Sequence, residues 1–182
     1  MEFMMFGVIL ALLVLWVISV QRRLVVMDEN INSAMNQIGI RLSSCFDVLT
    51  VLADLTKGYA AHESRILTET IKSRRSVITV ASTTDDVLKQ EEVISEALGR
   101  ISMVAEQYPA LKANEKYAKC INVMDSYEKM ARTSRLIYND SVSKFNRELR
   151  MFPSSLLAGL FGFHQRDYLE AMAEAEYDRK YQ

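Results

Sequence analysis

Three charged side chains fall where a helical stripe should carry apolar residues, and these residues are the best placed in the sequence to do chemistry. They are Glu63, Glu128 and Arg135. Inside a bundle, such charges can pair and fix the register of the helices. They can also form an acid–base cluster that belongs to a ligand or partner site. Both hypotheses stand at this stage.

His62 lies next to Glu63, and the only other histidine is His164. The H-E-x-x-H spacing, which puts two imidazoles on one helical face, is absent from the sequence. Glycine-rich phosphate loops, G-x-S-x-G elbows and paired C-x-x-C motifs are absent as well. An enzyme built on His62, Glu63 and Glu128 would need them to converge on one pocket. We therefore predict no catalytic residue, no metal site and no cofactor.

Two long stripes of apolar residues position these charges. The first runs from Ile31 to Thr70 and the second from Tyr117 to Phe152, each alternating steps of four and three residues. This spacing is the seam of a coiled-coil-like helix. The second stripe ends before Pro153, which cannot continue a helix.

Shorter elements complete the predicted fold. Residues 82–86 are typical of a turn and N-cap, and they predict a helix that extends to about Gln107. Pro109 ends this helix, Asn114 caps the next, and a short helix is predicted over about residues 167–180. The sequence thus predicts an all-α fold, an antiparallel three- to four-helix bundle in up-down-up-down order.

The N-terminal segment predicts a membrane anchor. Residues 3–20 carry no charge and would form a helix of about 27 Å, close to the roughly 30 Å of a hydrocarbon core. We predict a transmembrane helix over residues 3–20 that continues to about residue 27. The residues that mark it are Phe3, Trp16 and Val20 in the apolar run, with Arg22 and Arg23 at the headgroups.

A cleaved signal peptide is the competing interpretation, and the flanks of the run argue against it. A signal needs a basic segment before the run and small residues after it, but Glu2 precedes this run and Arg22 follows it. The arginines predict a cytoplasmic domain over residues 28–182, with residues 1–2 outside. Because no break separates anchor and first stripe, one helix is predicted to reach about residue 81.

Residues 151–163 form a second uncharged stretch, too short to span a bilayer. We predict that it lies at the end of the bundle far from the membrane. One interpretation folds it onto the bundle; the other leaves an apolar patch that docks a second copy or a partner. The candidate interaction residues are Phe152, Leu156, Phe161 and Phe163.

Composition narrows the classes of partner. Downstream of Glu2 there are 22 basic and 22 acidic residues, so the domain shows no electrostatic footprint for nucleic acid. The two cysteines, Cys45 and Cys120, are too few for a disulfide framework and predict reduced thiols.

Three ordered blocks carry a family resemblance. They read K-G-Y-A-x-H-E at 57–63, E-x-Y-P-x-L-K-A-N-E at 106–115, and R-x-x-Y-N-D-x-V-x-x-F-N at 135–146 with F-P at 152–153. Over about residues 24–163 the chain resembles the LemA family. It departs from the family pattern at Met35, where tryptophan is usual, and at residues 43–50, which lack a basic pair, a tyrosine and a proline.

The resemblance implies an anchored helical bundle in the bacterial cytoplasmic membrane. One branch of that family takes part in forming the magnetosome membrane, and other members sit near membrane-associated proteases. Our first hypothesis is a scaffold that self-associates to organise or shape the membrane or to gather protein partners there. The alternative is a signalling or stress adaptor that links the membrane to a cytoplasmic protease or phosphatase.

Overall fold

A computed structural model describes residues 1–169 of the protein, and these residues form six helices and no strand. The helices are α1 (Glu2–Thr56), α2 (Ala61–Arg74), α3 (Thr84–Gln107), α4 (Pro109–Lys112), α5 (Glu115–Arg150) and α6 (Ser154–Leu160). The all-α class and the continuity of the apolar segment with the first bundle helix are confirmed. The helix predicted over about 167–180 is not present in residues 167–169; the rest of it lies outside the described residues.

Contacts divide the described chain into two compact units. Met1–Ala34 and Ile137–Leu169 form one, called here the anchor unit, and Met35–Leu136 form the other, called the bundle unit. Helices α1 and α5 each contribute residues to both units.

In the bundle unit, α1 ends at Thr56 and the chain reverses. The Ser64 hydroxyl of α2 donates to the carbonyl of Ala53 at 2.7 Å, and the Arg75 guanidinium reaches Asp47 at 2.8 Å. Helix α2 therefore runs antiparallel to α1. The prediction of one helix to about residue 81 is wrong, because the turn after Thr56 contains Gly58, which costs about 1 kcal/mol in a helix interior.

Helix α3 begins where the sequence predicted it. Thr83 is the N-cap, and it exchanges hydrogen bonds with Asp86 in a capping box. These bonds lower the pKa of the Asp86 carboxyl. The Gln90 side chain then joins α3 to the end of α2, because it accepts from the Ser76 amide at 2.8 Å and donates to the Arg74 carbonyl at 3.0 Å.

Helix α5 returns along α3 and is capped by Asn114, whose side-chain oxygen accepts from the Lys116 amide at 2.8 Å. Members of both predicted stripes contribute to the core of the bundle unit, and each is at most 3% exposed: Ile38, Leu42, Leu49, Leu52 and Met124. Later members of the second stripe are buried in the anchor unit instead: Tyr138, Val142, Phe145 and Leu149. Because these side chains pack within one chain, they are not available to a second copy.

In the anchor unit, the apolar run of α1 is exposed along its length, while Leu24 is fully buried. Among the helices formed by residues 1–169, only α1 is long and apolar enough to cross a membrane. The guanidinium of Arg23 lies 3.1 Å from the carboxylate of Glu148 near the end of α5. The prediction that residues 151–163 lie far from the membrane-spanning run is therefore wrong. Because the chain reverses after Thr56, α5 is the fourth long helix, after α1, α2 and α3, and not the third as predicted.

Candidate functional site

The candidate site is the end of the anchor unit where α1 leaves its apolar run. Arg23 reaches one carboxylate oxygen of Glu148, and the hydroxyl of Ser154 donates to the other at 2.8 Å. Ser154 is the first residue of α6. The Glu148 side chain is only 12% exposed, so one nearly buried carboxylate fixes the start of α6 to the charged end of the anchor.

Two asparagines of α5 hold the segment that follows α6. The Asn146 amide donates to the Arg166 carbonyl at 2.8 Å and accepts from the Arg166 amide at 2.9 Å. Asn139 makes the same pair of bonds to Leu169, at 2.8 and 2.9 Å. Since a primary amide offers both a donor and an acceptor, each asparagine binds the main chain as a neighbouring strand would.

Side chains fix the register of this segment. The Arg166 guanidinium donates to Asp28 of α1 at 2.9 Å, and the Phe163 ring meets the Phe145 ring edge-on, with centroids 6.1 Å apart. The Tyr138 hydroxyl donates to the Asp167 carbonyl at 3.1 Å, and burial raises the pKa of Tyr138. Residues 163–169 are thus bound to both α5 and α1.

The sequence analysis missed the role of these asparagines. Asn139 and Asn146 are seven residues apart, so they lie on one face of α5 two turns from each other. Each follows a buried aromatic residue of the stripe, Tyr138 or Phe145. Two amides at this spacing beside a core stripe were the available signal.

The predicted interaction residues separate into two groups. Phe163 packs on Phe145, and Phe161 is half-buried, as the folded interpretation predicts. Phe152 and Leu156 are 78% and 69% exposed, as the docking interpretation predicts. The exposed set, called here the α6 patch, consists of Met151, Phe152, Leu156 and Leu160.

The predicted polar seam of Glu63, Glu128 and Arg135 lies in the bundle unit, but the residue that pairs with Arg135 is one that the sequence did not predict. Arg135 pairs with Glu91 of α3, and both side chains are 14% exposed. Burial raises the pKa of the Glu91 carboxyl, and the nearby Arg135 guanidinium acts against that rise. The Nε–H group of Arg135 is buried and donates to no acceptor among residues 1–169.

Glu128 is half-buried on α5, and Glu63 is exposed on α2. The placement of Glu63 in an apolar seam is therefore wrong, because the turn after Thr56 rotates α2 so that Ser64, Leu67 and Ile71 face inward. Burial, with help from the charges of Glu128 and Glu91, raises the pKa of the Cys45 thiol to about 11.

Nothing in the described part of the chain gathers the histidine and glutamates into one pocket. His62 is exposed beside Glu63, and no group of three or more His, Cys, Asp or Glu residues in 1–169 could hold a metal ion. An open groove of about 310 Å³ lies between α1 and α5, and its apolar lining is Val48, Val51, Val123 and Tyr127. Neither Glu63 nor Arg135 lines it.

Comparison with known proteins places the chain in a family. It is similar to the magnetosome proteins MamQ 2 and MamQ 1 of Paramagnetospirillum magneticum, each 32% identical over 74 residues. The similar region is 41% of this chain and 27% of each relative, so the chain matches about a quarter of those proteins. The family model described as the LemA family matches residues 34–181, most of the chain. The helical bundle and the three sequence blocks therefore have a common explanation, and the chain belongs to the LemA family.

Proposed function

We propose that this protein is a membrane-anchored structural protein that self-associates to organise or shape the membrane, or to gather protein partners there. The observation that carries the proposal is the continuity of α1. One uninterrupted helix contains both the exposed apolar run and the part of the first stripe from Ile31 to Thr56. Because the hydrogen bonds of α1 continue from turn to turn, we propose that a tilt of the apolar run is passed along this helix.

Family membership supports a role at a membrane. The relatives named above carry the description "magnetosome protein", and we extend to this chain only the general idea of membrane organisation. Fold-level likeness does not by itself define a function, so the proposal stands on the anchor and the bundle together.

The proposed location is the bacterial cytoplasmic membrane, with the N-terminus outside and the bundle in the cytoplasm. Arg22 and Arg23 follow the apolar run immediately and favour the cytoplasmic side. The proposed partners are membrane lipids, further copies of the chain and other proteins at the membrane.

Counting copies per particle tests self-association. The full chain carries a fluorescent tag, is extracted into native nanodiscs, and is counted by stepwise photobleaching at several expression levels. We expect several copies per particle at every level. A single copy at every level would contradict the proposal and favour the adaptor hypothesis.

A helix break tests the coupling through α1. Val26 lies beyond the uncharged run at residues 3–20, near the end of the predicted transmembrane helix, and is 59% exposed. The substitution Val26→Pro therefore interrupts the helix without removing a core side chain. We expect this variant to stay in the membrane fraction with fewer copies per particle than the Val26→Ala control. Equal copy numbers in the two variants would show that continuity of α1 is not required.

A further inference from the structure

We infer that the α6 patch enters the headgroup–acyl boundary of the same membrane that α1 crosses, as a second and shallow membrane contact. The inference rests on the anchoring part of the proposed function. The occupant of the patch is the lipid bilayer rather than another protein.

The first argument is depth. Arg23 lies three residues beyond Val20, which is about 5 Å along the helix. A charged residue there sits in the headgroup layer, which occupies roughly 5–7 Å on each side of the hydrocarbon core. Glu148 contacts Arg23 and also binds Ser154 at the start of α6. The start of α6 therefore lies at headgroup level.

The second argument is the packing of α1 at this level. Leu24 is fully buried, although the residues before it are largely exposed. A lone helix cannot bury a leucine, so other residues of the protein cover α1 within one turn of its apolar run. Protein thus extends to the membrane surface at the place where α6 begins.

The third argument is the chemistry of the patch. Residues 151–163 contain no charged side chain, and Phe152, Leu156 and Leu160 are 78%, 69% and 77% exposed. Apolar side chains of this size gain free energy when they leave water, and a short apolar helix beside a bilayer can reach 5–10 Å into the boundary.

The residues that flank the patch are also those expected of an interfacial segment. Arg147 and Arg150 form the last turn of α5 immediately before it, and both are exposed. Long basic side chains at this level can place their stems along apolar surface and their charges among the headgroup phosphates. The patch therefore has an apolar centre with a basic edge.

Tryptophan quenching in proteoliposomes tests the inference with the full chain. In a Trp16→Phe background, Leu156→Trp places the sole tryptophan in the patch. Leu136→Trp in the same background is the matched control, because Leu136 is 71% exposed on α5 and lies about 18 Å along that helix from Glu148. The quenchers are phospholipids brominated at shallow or deep acyl-chain carbons.

We expect Leu156→Trp emission to shift to shorter wavelength and to be quenched most by the shallow bromines, with neither effect in Leu136→Trp. Identical behaviour of the two variants would overturn the inference. A blue shift without lipid quenching would also overturn it, since it would mean that protein covers the patch. Unmutated Trp16 provides the separate test of the anchor: if acyl-chain bromines fail to quench it, the anchored function itself fails.

Discussion

At the scale of single residues, the most informative group is the ion pair of Glu91 and Arg135. The two side chains come from α3 and α5 and are largely withdrawn from water. Removing one partner from such a pair leaves an uncompensated charge, whereas replacing both by apolar residues is often nearly neutral. The pair therefore fixes how α3 and α5 meet more than it adds stability.

Arg135→Met should lower the free energy of unfolding by about 3 kcal/mol, because Glu91 is left buried without its partner. The double variant Glu91→Leu, Arg135→Met should recover most of that loss. Urea unfolding of the full chain in detergent, followed by circular dichroism, measures both. Equal instability of the single and double variants would show that the pair contributes net stability of its own.

The same pair gives a pH dependence. Burial raises the pKa of Glu91 in the folded state above its ordinary value of 4.5. At pH values between the pKa of Glu91 in the unfolded chain and its pKa in the folded chain, the folded chain therefore binds more protons than the unfolded chain. The free energy of unfolding should then fall as pH rises through that interval. Glu91→Gln should remove this part of the slope in urea unfolding measured at a series of pH values. An unchanged slope would contradict the assignment.

At the scale of elements, the turn after Thr56 controls the arrangement. It ends α1 and sends α2 back along it, so the chain makes four passes. Gly39 of α1 allows the segment after α2 to approach closely, because a Cβ there would overlap the carbonyl of Ile78 and lie 3.2 Å from its carbon. The obstruction is backbone, which cannot move aside as a flexible side chain can.

Gly39→Ala should therefore destabilise the protein by about 1–3 kcal/mol. Gly99→Ala in α3 is the matched control, since a Cβ there has nothing within 4 Å. It should stabilise by about 0.5–1 kcal/mol, because alanine loses less backbone entropy in a helix. Chemical unfolding of the two variants measures the difference. Effects of the same sign would contradict the close approach at Gly39.

At the scale of the whole molecule, the question is which side of the membrane the bundle occupies. The native cysteines can report it. Cys45 is buried and burial holds its pKa at about 11, while Cys120 is half-buried and lines the open groove between α1 and α5. Because the thiolate is the reactive form, a maleimide at neutral pH should label Cys120 in preference to Cys45.

A membrane-impermeant maleimide should leave the protein unlabelled in intact spheroplasts and label it after permeabilisation. Cys120→Ser should abolish the labelling, and Cys45→Ser should leave it unchanged. Labelling in intact spheroplasts that depends on Cys120 would place the bundle outside and reverse the proposed orientation.

Local signals in the sequence were sufficient for α3, α5 and their caps, and for the apolar helix at the start of α1. Apolar spacing, the Thr83 and Asn114 caps and the uncharged run at residues 3–20 all act within a few turns of one helix, and the structure places these elements accordingly. Resemblance in three ordered blocks was sufficient for the family.

Long-range packing decided how many helices run along the bundle and which residues meet at each site. A single glycine at residue 58 was a weak local signal, yet the reversal beside it moved Glu63 to the surface and returned α6 to the anchor. Glu91, Asp28 and Arg166 find their partners 44 or 138 residues away in sequence. The periodicity of one helix does not predict such pairs, because each pair forms only when two segments distant in sequence pack against each other.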